Sequence, residues 1–267
     1  MSLGFAIAMV GVFVIAALMA MTGRGGGNFY VPLLVAGGAQ MHQAATTGQC
    51  ILFLTAVAAI LVFQKNRIID WKLAMVIDPP TDIMALIGGY YAHKFSGDML
   101  KLIFAGLLVL AGFLMLRTVK EQSISCRRRF GFWRRRFGKY EYVVNLWLAL
   151  PITAATGLVA GMVGISGGSF KVPLMVLACG VPMRIAVGTS SAMVAATALM
   201  GFIGHSVAGD FNTSWAIPMS AAAVFGGLVG STFSLNTEPK NLKKIFAYTT
   251  LAAAVFMILN SCLSAGD

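Results

Sequence analysis

Two glycine-rich strings interrupt stretches that are otherwise apolar. Gly23-Arg24-Gly25-Gly26-Gly27-Asn28 follows the apolar run from Leu3 to Thr22, and Gly164-Ile165-Ser166-Gly167-Gly168-Ser169 follows the run from Val143 to Met162. Glycine costs about 1 kcal/mol against alanine inside a helix, and proline, which follows each string at Pro32 and Pro173, costs about 3. The backbone is predicted to open at both places. A helix restarting near Phe29 or Phe170 has N–H groups without partners and a partial positive charge at its start. The glycines let a ligand approach that backbone, so an anion can be held without a basic side chain. Thr46, Thr47 and Gln49, and Thr189, Ser190 and Ser191, are placed to add hydroxyl and amide donors from the adjoining helices. The alternative for these small polar residues is hydrogen bonding between helices, which is common in membranes.

Charged residues supply the second kind of chemistry. Arg24 lies inside the first glycine string, where the second string has Ile165. Asp78 and Asp82 are one helical turn apart, hence on one face. Counted from Trp71, they lie roughly 10 and 16 Å along a helix, which puts Asp82 near mid-bilayer. A charge at that depth costs at least ~2.5–3.5 kcal/mol and marks a functional residue with a partner nearby. Pairing of Arg24 with one aspartate, leaving the other to take up a proton, accounts for all three; a purely structural ion pair is the alternative. His205 near a helix end is a further candidate for proton transfer. Lys171 and Arg184 either steer anions toward the site or snorkel.

The elements that must position these residues are membrane helices. Of 267 residues, 58% are hydrophobic and 11% charged, against about 25% charged in soluble domains. Apolar runs of roughly 18–23 residues recur along nearly the whole chain, each long enough to span a bilayer. The fold class is therefore an all-α polytopic membrane protein. Helices are predicted at about 3–22, 40–63 (opened by the polar patch 40–49), 71–92, 99–117, 143–162, 193–207, 215–234 and 242–262, with short apolar pieces at 29–36 and 172–179 after the breaks. Leu3–Thr22 could pass for a signal peptide, but no Lys or Arg precedes it and it matches an internal segment. The net charge of +11 does not indicate nucleic acid, since eight of the twenty Lys and Arg lie between Lys120 and Lys139. Beside membrane spans, such a cluster reads as a topology signal and as a contact with anionic lipid. The cysteines Cys50, Cys126, Cys179 and Cys262 show no metal or redox spacing. No metal and no cofactor is expected.

The two strings belong to a duplication. Met21–Cys50 aligns without a gap on Met162–Ser191, and ten of the thirty positions are identical. The expected organisation is membrane repeat 1 at 1–118, a basic cytoplasmic loop at 119–142 and membrane repeat 2 at 143–267. Gly/Pro-interrupted segments at matching places in two halves point to a transporter binding site, with both breaks near the midplane facing one shared cavity. The basic central loop and Lys65–Lys72 are expected on the cytoplasmic side. If Lys240, Lys243 and Lys244 are cytoplasmic too, the repeats are inverted, and that arrangement is favoured over parallel repeats.

The duplicated Gly-x-x-Gly-Gly-x-Phe-x-Val-Pro-Leu string, the Ala186-Val-Gly-Thr-Ser190 patch and the stretch His205-x-x-x-Gly209-Asp210-Phe211…Trp215 resemble the TauE/SafE family of sulfite and organosulfonate exporters. The resemblance covers nearly the whole chain. It implies a transporter of about eight spans that moves small sulfur-containing anions in a bacterial-type inner membrane. Arg24 and the run Asp78-Pro-Pro-Thr-Asp82 depart from the family's usual pattern. The function expected is thus a proton-coupled secondary transporter, an exporter of sulfite or an organosulfonate, with no enzymatic activity. Its partners are the small anion and the bilayer, with a homodimer among the assemblies allowed. An anion channel, or a permease for another small anion, is the alternative. A membrane enzyme is disfavoured because no metal cluster and no nucleophile–base pair follows from spacing.

Overall fold

The structure, a computed structural model, describes residues 3–37, 41–91, 97–116, 130–163, 168–207 and 213–264. Ten helices and one β-hairpin account for nearly all of these residues. Helices α1 (Leu3–Met21), α2 (Gly27–Ala36), α3 (Met41–Lys65), α4 (Trp71–Tyr91) and α5 (Gly97–Leu116) come first. Strands β1 (Phe132–Phe137) and β2 (Tyr140–Asn145) follow. Then come α6 (Leu146–Val163), α7 (Gly168–Pro173, continued by a π-helical turn Leu174–Ala178), α8 (Met183–Val207), α9 (Thr213–Asn236) and α10 (Pro239–Ser264). Among the described residues, four helices are long and apolar enough to cross a membrane: Gly4–Met21, Thr46–Lys65, Met183–Met200 and Trp215–Asn236. Shorter apolar helical stretches lie at Ala105–Leu116, Leu146–Val159 and Gly168–Ala178.

The chain divides into two compact units. One comprises Met1–Ile69 with Val187–Glu238, the other Asp70–Ala186 with Pro239–Asp267. In the first unit α1 and α3 both pack on α9, and α2 lies on α3. In the second α6 packs on α4 and α10 on α5.

Side-chain size, rather than polarity, decides which face of each helix turns inward. On α1 the inward residues are Ala8, Val12, Ala16 and Ala20, while Ile7, Val10, Val14 and Leu18 face outward. On α9 Ala216, Met219, Ala223 and Ser231 are buried, and Ile217, Phe225 and Phe233 are each at least 60% exposed. Such an apolar exterior suits lipid and not water. Lipid tails are as apolar as leucine, so helices associate in a bilayer through close packing of small residues. Gly230 of α9 shows how close: a Cβ there would fall on the carbonyl of Ala17. In the second unit a Cβ on Gly157 of α6 would meet the carbonyl of Thr81 on α4 in the same way.

The expectation of an all-helical chain is corrected at the connector. Residues 132–145 form an antiparallel hairpin, with Arg135 opposite Tyr142 and Phe137 opposite Tyr140. As a result α6 starts at Leu146 and not at Val143. The turn is the two-residue Gly138-Lys139, with Gly138 at φ 58°, and glycine first in a two-residue loop is the type II′ pattern. Arg134 and Arg136 point outward, whereas the other face carries Trp133, Arg135 and Phe137 beside Tyr142 and Val144. The remainder of the basic run, 117–129, lies outside the described residues.

Asp70 fastens this hairpin. Arg135 donates from Nε and Nη2 to its two carboxylate oxygens at 2.8 and 2.7 Å. The Tyr142 hydroxyl donates to Oδ2, and the Leu73 N–H to Oδ1 at 3.2 Å, which makes Asp70 the N-cap of α4. Burial alone would raise the Asp70 carboxyl; the Arg135, Tyr142 and Leu73 hydrogen bonds and the Arg135 charge outweigh it and hold the group below the usual carboxylate range. Arg135 is correspondingly held above its ordinary value, chiefly by its hydrogen bonds to Asp70.

Two outcomes follow for the purified protein. Gly230→Leu should lower the thermal unfolding temperature, by the equivalent of about 1–3 kcal/mol for overpacking, while Val229→Ala on the outward side should not. A carboxyl with a depressed folded pKa stabilises above its unfolded value, and that stabilisation is lost as pH falls through the folded one. Asp70→Asn should therefore destabilise by about 1.5–3 kcal/mol near neutral pH, the worth of hydrogen bonds to a charged group in a part-buried pair. The difference from wild type should vanish well below the ordinary aspartate pKa of about 4.

Candidate functional site

The first break is built from the end of α1. Its last carbonyls are satisfied by a reversal of the chain: the Arg24 N–H donates to the Met19 carbonyl at 2.9 Å and the Gly23 N–H to the Ala20 carbonyl at 3.2 Å. This is a Schellman cap, whose C′ residue takes a left-handed φ, and Gly23 has φ 69°. The Thr22 hydroxyl adds a hydrogen bond to the Met19 carbonyl at 3.1 Å. Helix then resumes at Gly27, after Gly26 at φ 70° and with no side-chain cap. The break therefore occupies Thr22–Gly26, slightly earlier than the glycine string alone predicts.

Three further elements of the first unit close around it. A Cβ on Gly23 would run into the backbone of Val187, so the start of α8 lies directly against the break. Gly48 of α3 sits under Val31 of α2, its missing Cβ 3.0 Å from Val31 Cγ2. Arg24, Thr46, Thr47, Thr189, Ser190 and Ser191 are all buried in this unit. Gly23 and Gly25 are buried, and Gly26, Gly27 and Gln49 are half-buried.

Two of the buried hydroxyls differ from most of the rest. Along the helices, serine and threonine usually donate back to the carbonyl four residues earlier, as Thr55 does to Ile51 at 2.7 Å, Thr153 to Ala149 at 3.0 Å and Ser191 to Val187 at 3.1 Å. Thr47 Oγ1 and Ser190 Oγ are buried with no hydrogen-bond partner among the described residues. A buried polar atom left unpaired costs about 1–3 kcal/mol, so both hydroxyls keep a proton that a water or a bound ion can use.

In the second unit α7 is buried throughout, Gly168 and Ser169 included. Residues 164–167, and with them Gly164, Ser166 and Gly167, lie outside the described residues, as do the side chains of Asn28 and His205. Asp78 is buried on α4, directly before Pro79 and Pro80, and Asp82 is half-buried one turn further on. The counter-charge of Asp78 is Lys171: its ammonium, 2% exposed, donates to Asp78 Oδ1. Sequence reasoning left Lys171 to steering or snorkelling and looked to Arg24 for the aspartates. The missed signal was its position, within a motif that is otherwise apolar or small, where an ammonium needs a partner. Arg24 belongs to the first unit, Asp78 and Asp82 to the second. Among the described residues no cluster of His, Cys, Asp and Glu could hold a metal.

Comparison with known proteins agrees with a membrane-transport role. The chain is similar to a protein named "Probable membrane transporter protein YunE" of Bacillus subtilis (strain 168), 22% identical over 98% of this chain and 100% of the relative. A "Probable membrane transporter protein" of Xylella fastidiosa (strain Temecula1 / ATCC 700964) is 24% identical over 92% of each chain. "Probable membrane transporter protein MJ0441" of Methanocaldococcus jannaschii is 22% identical, again over 92% of each. No solved structure matches. The family model described as "Sulfite exporter TauE/SafE" matches residues 7–257, and the chain belongs to that family of membrane transporters.

Proposed function

We propose that this protein is a proton-coupled secondary transporter that exports a small sulfur-containing anion, such as sulfite or an organosulfonate. One observation carries the reading: a helix opened at Thr22–Gly26, with the Arg24 guanidinium buried beside it and two buried hydroxyls, Thr47 and Ser190, that no described residue satisfies. A sulfur oxyanion supplies several acceptor oxygens and a negative charge. The start of α2, an arginine and hydroxyl donors are the groups that recognise such an ion. Energy comes from ion gradients, as the sequence carries no nucleotide-binding motif.

The inverted-repeat plan and the membrane repeats 1–118 and 143–267 belong to the same proposal. They are supported by the exchange of partners between the sequence repeats. α1, the first helix of repeat 1, packs on α9, the fourth of repeat 2; α6, the first of repeat 2, packs on α4, the fourth of repeat 1. Location in a bacterial-type inner membrane, with the 119–142 segment cytoplasmic, is supported by its charge. The outward Arg134 and Arg136 of the hairpin share one carboxylate, Glu141, which leaves that face with a net positive charge suited to the anionic lipid expected there.

Proteoliposomes preloaded with sulfite, sulfate, thiosulfate or isethionate test the reading through counterflow of the labelled anion. A carrier shows saturable counterflow with at least one of them; conductance without counterflow would replace it with an anion channel. Thr47→Val and Ser190→Ala remove hydroxyls that bond no described residue. They should leave thermal stability within about 0.5 kcal/mol of wild type, yet raise the half-saturating concentration about tenfold, the worth of one hydrogen bond to a charged group. Arg24→Ala should raise it further, since it removes a charge.

A further inference from the structure

The Lys171–Asp78 pair is a costly arrangement within the second unit. Lys171 lies one turn into α7, fully enclosed, and Asp78 lies on α4 with a side chain only 10% exposed. Two ions removed from water lose several kcal/mol of hydration each, and purely structural pairs of this kind are often no better than apolar residues of the same size. The backbone around Asp78 is also weakened. Pro79 and Pro80 donate no hydrogen bonds, so the carbonyls of Met75 and Val76 lack their helical donors one turn back. An ion pair set beside a weakened turn can come apart more readily than one in an unbroken helix.

The chemistry of the pair states what else it could hold. The Asp78 carboxylate on the Lys171 ammonium is an oxyanion on a buried cation, which is how a sulfonate or sulfite oxygen would sit there. Only one anion can take that place. If a substrate oxygen does, Asp78 is left buried without its counter-charge, a situation that drives a carboxylate to protonate. Asp82, one turn along α4, adds a like charge and pushes the same way. α6, which packs on α4, contributes no titratable side chain from Leu146 to Val163, and among the described residues the charged groups acting on Asp78 are Lys171 and Asp82.

We propose that Lys171 is a substrate ligand held by Asp78 in the empty carrier, and that exchange of the Asp78 carboxylate for the substrate anion loads one proton onto Asp78. The inference rests on the anion-transport reading and adds its coupling step. The balance is simple: one anion and one proton enter from the same aqueous side, the ammonium–carboxylate contact is replaced by an ammonium–substrate contact, and no covalent bond to carbon or sulfur changes. Anion and proton then favour each other's binding by the same factor. For a monovalent anion the loaded carrier moves no net charge, and export proceeds when the product of anion and proton concentrations is higher in the cytoplasm.

The probes are thiosulfate and isethionate, which remain fully ionised and carry no proton of their own. Full-length protein in proteoliposomes with an internal pH dye is assayed for counterflow and for proton movement between about pH 5 and pH 8. Wild type should bind the anion about tenfold more tightly at the acid end, within the 5–150-fold range of ordinary couplings, and should move protons with it. In Asp78→Asn the half-saturating concentration should change less than about twofold over that range, with no proton movement. Asp82→Asn should keep the pH dependence. If Asp78→Asn does not fold, Asp78→Asn/Lys171→Gln, which leaves neither charge, carries the test with the same expectation for pH and a weaker affinity throughout. Counterflow with an unchanged pH profile in these Asp78 variants, or a profile lost only in Asp82→Asn, would overturn the inference and leave the transport reading standing. No counterflow by wild type with either probe or any of the panel would overturn both.

Discussion

The end of a buried helix must be satisfied, and the first break is shaped by that constraint. When α1 stops at Met21 its last carbonyls need donors, because buried backbone left unpaired is costly. The N–H groups of Gly23 and Arg24 fold back to supply them. That reversal needs a left-handed residue, which glycine adopts without strain. It also brings the chain against the backbone of Val187, where any side chain at position 23 would collide. The position of Arg24, the start of α2 and the approach of α8 all follow from how one helix end is closed. Closing the carbonyl end leaves the donor end of the next helix without a side-chain cap, and that is the feature the proposed anion site draws on.

The same constraint governs the hydroxyl groups. In these helices a serine or threonine usually spends its proton on the carbonyl one turn back, as Thr156, Ser231 and Thr250 do. Such a group is inert toward a ligand. Thr47 and Ser190 stand outside that pattern, and this separates them from Ser191, which the sequence places in the same patch but whose hydroxyl is committed to Val187. Candidate donors that look alike in a motif are thus sorted by where their protons go.

What the sequence made legible was whatever breakers and composition dictate. Gly23 and Gly26 locate the break to within a few residues, because their backbone preferences are local; Pro32, counted as a breaker, lies inside α2. Helix partners were not legible. α1 and α9 are apolar all round, so no polar face records which side meets the other; the choice rests on small residues such as Ala16 and Gly230, and those show only once packed. The hairpin was missed because the basic run from Arg127 to Lys139 was read as a surface tether. Its signal was present in Gly138-Lys139, a two-residue turn between alternating aromatic and charged residues. Lys171 and Asp78 are 93 residues apart, and no local pattern joins them. Only the rule that a buried ammonium must have a partner could have done so.

The alignment of the two strings sets Tyr30 against Lys171, and the two positions solve one burial problem differently. Tyr30 is fully buried and shares a hydrogen bond with Thr55 of α3 at 3.3 Å, a neutral pair. Lys171 is buried to nearly the same degree and holds Asp78, a charged one. A neutral pair has no protonation state to exchange near neutral pH. A charged pair can trade its carboxylate for another anion and balance the loss with a proton. The two units therefore need not do the same work although their strings match: the first offers donors that no described residue uses, and the second holds charges that already answer each other. Hydroxyl donors of the former kind can bind an anion but not link it to a proton. An anion taken up by a charged pair of the latter kind can be so linked, because a carboxylate whose counter-ion is taken away has a reason to change its charge.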